Sequence, residues 1–273
     1  SKLPEVIEEI WEIQLKLWKR TARISFPTFL KRCIRVKIKR MYITKFGHSC
    51  LLVEEKGIRV LIDPGSYSTM QNEVRDVDAV LITHEHQDHL DMGSLKTILR
   101  NSPAAKIITN NGVGKVLVEE GIEYQEMNDG ESVTVQDVLI EAFGRDHAVI
   151  HSTIPVIRNT GFFIADRFFY PGDAFVRPYM PEAPSVDLMK EAPATYGRTV
   201  AHTPLSDYSQ SNPFLNAKVG LPKPIEILAL PVTAPWMRSA EAVDYAVELK
   251  PQICIPVHDG MLKNPANGHW LAQ

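Results

Sequence analysis

The sequence predicts a mixed α/β fold in which helices cover a system of mixed sheets. Three observations carry this. Between residues 41 and 62, three runs with strand periodicity follow one another through tight turns. Between residues 78 and 120, strand-like and helix-like runs alternate as in βαβ units. Between residues 225 and 257, the order strand, helix, strand closes the chain.

Taken in order, Leu3 to Arg20 places Val6, Ile10, Ile13 and Leu17 at helical spacing, with Trp11 and Trp18 a heptad apart. Pro4 suits a first turn and Lys19 and Arg20 a last one, so an amphipathic helix is expected. From Cys33 to Lys39, Ile34, Val36 and Ile38 alternate with Arg35, Lys37 and Lys39, the period of a half-buried strand that could extend the sheet after it. Met41–Phe46, Cys50–Glu54 and Ile58–Ile62 read as strands, with Glu55, Lys56 and Gly57 as the second turn. Asp78–Thr83 is a further strand, Met92–Arg100 a helix, Ile107–Thr109 a strand and Val113–Glu120 a helix. Val133–Phe143 and Thr160–Tyr170 return to strands; Ile225–Leu230, Ala240–Leu249 and Ile253–Val257 give the closing strand, helix and strand. Val176–Pro224 holds eight of the nineteen prolines and is rich in Ser, Thr, Asn and Tyr, which rules out a long regular element.

With 273 residues, 44% hydrophobic and 23% charged, the chain can bury a substantial core, and neither a disordered nor a fibrous class fits. No apolar run approaches the ~18 residues of a membrane-spanning helix. The first residues lack the apolar block and cleavage pattern of a secretory signal, so the cytoplasm is the expected compartment. Cys33, Cys50 and Cys254 are too few and too scattered for a disulfide framework and contain no C-x-x-C pair. Charge is unevenly spread: residues 1–40 carry 11 Lys/Arg and 4 Glu, net +7, against −10 on the remainder. A basic extension (1–40) on an acidic body (41–273) is therefore expected.

The decisive segment is Thr83-His84-Glu85-His86-Gln87-Asp88-His89-Leu90-Asp91, at the exit of a predicted strand. Three imidazoles and a carboxylate packed this closely form a metal-ligand cluster, because both side-chain types suit Zn, Mn or Fe. The H-x-H-x-D-H pattern resembles the signature of the metallo-β-lactamase superfamily. The resemblance spans Met41 to about Phe175 and Lys223 to about Leu262. Its other signposts stand in the same order: Phe46-Gly47-His48-Ser49-Cys50, Leu61-Ile62-Asp63-Pro64-Gly65, Asp146-His147-Ala148-Val149-Ile150-His151, Pro171-Gly172-Asp173 and Pro256-Val257-His258-Asp259. In these it is similar to the branch of ascorbate-6-phosphate lactonase-like proteins and the N-acylphosphatidylethanolamine-hydrolysing phospholipase D.

The resemblance implies a four-layer αβ/βα sandwich and a dinuclear metal centre, with zinc, manganese or iron as the two divalent ions. His84, His86 and His147 would hold the first metal, Asp88, His89 and His258 the second, and Asp173 would bridge them. The implied activity is hydrolysis of an ester, lactone or phosphodiester bond in a small molecule by metal-bound hydroxide, with Asp88 also the catalytic proton acceptor. Asp63 would orient the metal loop by hydrogen bonds, and His48 could do similar work. His151 is the rival of His147 and otherwise a supporting residue. Asp173 could instead be a turn residue after Pro-Gly, and His258 a surface histidine; the order of the motifs favours ligation. Trp236, after Leu230-Pro231-Val232-Thr233-Ala234-Pro235, either lines the substrate cleft or is a core or interface aromatic. His202 and His269 have no motif around them. Two segments depart from the family pattern. The 1–40 extension could meet an acidic partner, a membrane surface or nucleic acid, or pack on its own domain or a second subunit. The 176–224 insertion could form part of the cleft or a lid, a surface excursion or an oligomer contact. The alternative function is a nucleic-acid-binding or processing protein of the same fold; the acidic body speaks against it.

Overall fold

The computed structural model describes residues 34–68, 70–179 and 223–260. The helix expected at Leu3–Arg20, residues 180–222 of the insertion, His202 and His269 lie outside the described residues. The first sheet is built from β1 (Ile34–Ile38), β2 (Met41–Gly47), β3 (Cys50–Glu55), β4 (Ile58–Ile62), β5 (Ala79–Ile82), β6 (Lys106–Thr109) and β7 (Gln125–Glu126), side by side in chain order. β2 to β4 are antiparallel, whereas β4 to β7 run parallel. The second sheet contains β8 (Ser132–Val135), β9 (Val138–Phe143), β10 (Gly161–Ile164), β11 (Phe168–Tyr170), β12 (Ile227–Pro231) and β13 (Ile253–Val257). Its order is β13-β12-β11-β10-β9-β8, an antiparallel meander extended by two parallel strands. The helices are α1 (Met92–Asn101), α2 (Asn111–Glu119) and α3 (Ser239–Leu249).

The layers follow from the two-residue period of the strands. Ile43, Leu51, Val53, Val60, Ile62, Ala79 and Leu81 face inward from the first sheet. They meet Ile140, Ala142, Phe162, Ile164, Phe168, Tyr170, Ile227 and Ala229 of the second in the inter-sheet core. The alternate residues Leu52, Leu61, Val80 and Ile82 point the other way, onto Leu95 and Ile98 of α1 and Val113 and Leu117 of α2. On the far side, Phe143, Phe163, Phe169 and Leu228 cover Ala242, Tyr245 and Ala246 of α3. The helix–sheet–sheet–helix order is the αβ/βα sandwich expected.

Among the described residues the predicted elements are found, with differences at the turns. The runs 133–143 and 160–170 each prove to be two strands. Their turns use Gln136 at φ 49°, and Ala165 and Asp166 at φ 56° and 52°, without glycine or proline to punctuate the sequence. By contrast Lys56 and Gly57, both left-handed, make the two-residue turn between β3 and β4 that was legible beforehand. The two-residue β7 and the 3-10 turn Met70–Glu73 are too short to carry a period. The described ends of the insertion meet, Lys223 N donating to Pro178 O at 3.2 Å.

At the start of β11 and β12, Arg167 ties both sheets together. Its guanidinium meets Glu226 Oε2 at 2.6 Å, Glu55 Oε2 at 2.9 Å and Ile38 O at 3.1 Å. The bond from Arg167, and then that from Lys39, holds the Glu226 carboxyl below its ordinary range. Because the folded-state value is depressed, the stabilisation is complete at neutral pH and fades as pH falls through that value. Arg167→Met should lower stability at pH 7 by about 1–3 kcal/mol, since it removes the partner of the mostly buried Glu55 and leaves Glu226 with Lys39 alone. In denaturant titrations the gap to wild type should shrink below about pH 4, as the Glu226 carboxylate protonates.

Candidate metal centre

The ends of β2, β4 and β5 lie along the same edge of the sandwich as those of β9, β11, β12 and β13. The loops leaving these ends carry the candidate ligands. After β4, Asp63 turns left-handed at φ 47° and the chain becomes a strap over the metal loop. Ser66 N donates to Gln87 O at 2.9 Å, and Asp91 N to Pro64 O at 3.0 Å. Between these bonds Gly65 lies flat on the loop: a Cβ there would fall 1.9 Å from Asp88 O and 2.6 Å from His89 N. That close approach is the physical content of the Asp-Pro-Gly motif.

Below the strap, Asp63 is fully buried and accepts from Thr83 N at 2.8 Å, Thr83 Oγ1 at 2.7 Å and His89 Nδ1 at 2.6 Å. Thr83 Oγ1 has given its proton to Asp63, so it accepts from His84 Nδ1 at 2.9 Å. Thr83 O in turn receives Asn110 Nδ2 at 2.8 Å and Thr160 N at 3.0 Å, which bolts β5 to the second sheet. The Asp173 loop is held by Asn159, whose Oδ1 accepts from Asp173 N at 2.9 Å and whose Nδ2 donates to Pro171 O at 2.9 Å. Gly172, between them at φ 67°, leaves no room for a Cβ against Asn159 Oδ1, 2.3 Å away.

These bonds decide which nitrogen of each imidazole faces the site. His147 Nδ1 donates to Ala148 O at 2.6 Å and His258 Nδ1 to Thr233 O at 2.5 Å, as those of His84 and His89 are taken by Thr83 and Asp63. With the Nδ1 atoms of these four imidazoles occupied, their Nε2 atoms are the ones that face the site. His84 Nε2, His147 Nε2, His258 Nε2 and Asp173 Oδ1 are all buried and make no well-formed hydrogen bond, their nearest polar neighbours being one another, as with His258 Nε2 3.0 Å from Asp173 Oδ2. Buried polar atoms are normally paired. Four such atoms converging on one space fit divalent cations, and imidazole with carboxylate is a donor set that suits Zn, Mn or Fe.

The candidate ligand atoms cluster in three groups, each within 4.8 Å: His84, His86 and His147; Asp88, His89 and His258 with His48; and His84, His89 and Asp173. Asp173 connects them, with His89 Nε2 at 3.2 Å, His258 Nε2 at 3.0 Å and His147 Nε2 at 3.5 Å. Burial pushes His84 and His86 toward the neutral form that ligation needs. At His89 and His258 the neighbouring carboxylates of Asp173 with Asp63 or Asp88 outweigh burial and raise both, His258 to about 9. Burial also disfavours charge on Asp173 and Asp88. The surrounding imidazoles outweigh it and hold both carboxyls well below the usual range.

His48 sits in the second group but plays a different part. Its Nδ1 accepts from Gly260 N at 2.9 Å, so Nε2 carries the proton and donates to Asp88 Oδ2 at 3.0 Å. It orients Asp88 and has no lone pair to offer. Burial keeps His48 neutral, which preserves that tautomer. His151 is exposed and partners Thr153 Oγ1 at 2.8 Å, apart from the converging groups. Trp236 is half-buried, and its Nε1 donates to Asp173 Oδ2 at 2.9 Å, with the ring edge-on to His147 and Phe175. It braces the bridging candidate as well as bordering the site. Thr83, Asn159, Asn110 and Lys45 were not foreseen. Thr83 stood beside the motif, and Lys45 continues the inward row Met41, Ile43, where a charge is out of place.

Two substitutions test this scaffold. Gly65→Ala should cost roughly 1–3 kcal/mol by driving a methyl into the backbone of the metal loop, read from thermal or denaturant unfolding. Thr83→Val removes the hydroxyl that orients His84 and should weaken metal binding by about 10–100-fold, measured by titration calorimetry.

Comparison with known proteins agrees with this geometry. A family model described as the beta-lactamase superfamily domain matches residues 42–187. Protein Rv0786c of Mycobacterium tuberculosis is 30% identical over 238 residues, 85% of this chain and 91% of its own. A UPF0173 metal-dependent hydrolase of Methanosphaera stadtmanae is 35% identical over 104 residues, 36% of this chain and 43% of its own. Among solved structures, a Parabacteroides distasonis protein described as a putative metal-dependent hydrolase superposes with a TM-score of 0.54 at 20% identity. It covers 86% of this chain and 95% of its own, a likeness of fold. The chain belongs to the metallo-β-lactamase superfamily.

Proposed function

We propose that the protein is a hydrolase that works through two divalent metal ions on an ester, lactone or phosphodiester bond of a small molecule. The observation that carries this is the convergence of the Nε2 atoms of His84, His147 and His258 with the Asp173 carboxylate in one buried space. The motif order that resembles lactonase-like and phospholipase D-like proteins supports the choice of bond, and the metal-dependent hydrolase among its relatives supports metal-dependent hydrolysis. His84, His86 and His147 would hold one ion, Asp88, His89 and His258 the other, and Asp173 both; zinc is the first choice, manganese or iron the alternatives. When bound, the ions would supply Lewis acidity toward a carbonyl or phosphoryl oxygen and make a water acidic near neutral pH.

The protein's own groups divide the remaining work. Asp88 is the most accessible carboxylate of the cluster, with 22% of its side chain exposed against 5% for Asp173 and 0% for Asp63. His48 holds its Oδ2, leaving Oδ1 as the place to receive a proton; held well below the neutral range, it passes that proton on to solvent. Trp236 on the His147 side and Tyr67, 54% exposed with its ring edge against His48, border the site and would bind the organic part of the substrate.

The test is elemental analysis of metal per chain for wild type, His86→Ala and Asp173→Ala, alongside a panel of lactones, esters and phosphodiesters. Close to two metals in wild type, reduced in the variants together with hydrolysis of one substrate class, is the expected result. Absence of metal after repletion would overturn the reading.

A further inference from the structure

Lys45 is the one lysine of β2, and it lies where a lysine is costly. β2 sends Met41 and Ile43 into the core between the sheets, and Lys45 follows in the same row, 9% exposed. Immediately after it, the pairing of β2 with β3 shifts at a β-bulge between Lys45 and Gly47, the kind of irregularity that re-aims a strand end. From that point Lys45 Nζ crosses to the other sheet. It donates to Pro256 O at 2.5 Å and pairs with Asp259 Oδ2 at 2.7 Å.

These two contacts bracket His258, which stands between Pro256 and Asp259 in a left-handed conformation, φ 58°. A non-glycine residue stays there only where its surroundings over-determine it. The surroundings are Lys45 on the side of the sheets and His48 on the other. His258 N donates to His48 O at 3.1 Å, and Gly260 N to His48 Nδ1 at 2.9 Å. Thr233 O takes His258 Nδ1 at 2.5 Å and Val232 N donates to Val257 O at 3.1 Å, while Lys45 supplies the segment's electrostatic anchor through Asp259. Without the ammonium, the Asp259 carboxylate, 26% exposed, would turn to water and draw the adjacent His258 backbone with it.

We infer that Lys45 is a positioning residue: it clasps the His258 segment across the two sheets and so sets how tightly the group of Asp88, His89 and His258 holds its metal ion. This rests on the two-metal reading above. Lys45 leaves the group of His84, His86 and His147 untouched, so its effect is confined to one of the two ions.

Cobalt(II) titration of the full chain tests it, followed by visible absorption and calorimetry. His86→Ala identifies which absorption band belongs to which group. Lys45→Met should retain one cobalt ion at wild-type affinity and bind the second about 10–100-fold more weakly. Lys45→Arg, which keeps the charge, should fall between the two. Ile43→Val, in the same inward row, should bind both ions as wild type does and thus separates core damage from the clasp. Should Lys45→Met fail to fold, Asp259→Asn breaks the same pair from the other side and should show the same selective loss. Wild-type binding of both ions in the Lys45 variants, or equal weakening at both sites, overturns the inference. A wild type that binds fewer than two cobalt ions overturns the two-metal reading, and this inference with it.

Discussion

The buried carboxylate of Asp63 is the interaction on which the site is built. It is fully enclosed, and a charge in such a place is tolerable only when its lone pairs are met. Thr83 meets them twice and His89 once, so one carboxylate fixes the exit of β5, the ring of His89 and, through the Thr83 hydroxyl, the ring of His84. Because Asp63 ends β4, the neighbour of β5, the anchor is delivered by the parallel pairing of the first sheet.

Strain gathers at the same edge. His48, Asp63 and His258 all adopt left-handed backbone conformations although none is glycine. Each is held by hydrogen bonds from a different part of the chain: His258 by His48, Asp63 by Leu81, and His48 through Gly260. The sandwich can sustain this because the inter-sheet core beneath is continuous and well buried, so the cost of a few forced turns is spread over a large stabilising area. Loops after strand ends can then carry chemistry while the strands supply rigidity.

The candidate metal ligands are divided between the two sheets. The first sheet provides the dense motif, with its ring orientations set internally by Thr83 and Asp63. The second provides His147, Asp173 and His258, each oriented by a backbone carbonyl or by Asn159 and Trp236. Neither sheet has a complete donor set. Superfamily membership accounts for the scaffold, while the choice of substrate rests with the side chains that border the site, Trp236 and Tyr67 among them.

Much of this was written in consecutive residues. Strand and helix periods report on which face is buried, and these were legible from Met41 to Val257 wherever a glycine or a long run marked the boundary. The H-x-H-x-D-H segment was legible for the same reason: its ligands lie within one loop, and spacing alone brings them together. Turns at Gln136 and at Ala165-Asp166 were not, because their left-handed residues are ordinary ones whose conformation is imposed by strand pairing. Motif order favoured His147 over His151, but the sequence could not choose the nitrogen each imidazole turns inward, assign Trp236 to Asp173, or reveal Asn159 and Lys45 as clamps. Local patterning determined the elements and the first half of the site, because it depends on neighbours a few residues apart. Only the tertiary structure decided how seven strand ends meet at one edge, because hydrogen bonds between residues up to 212 positions apart leave no periodic trace in the chain.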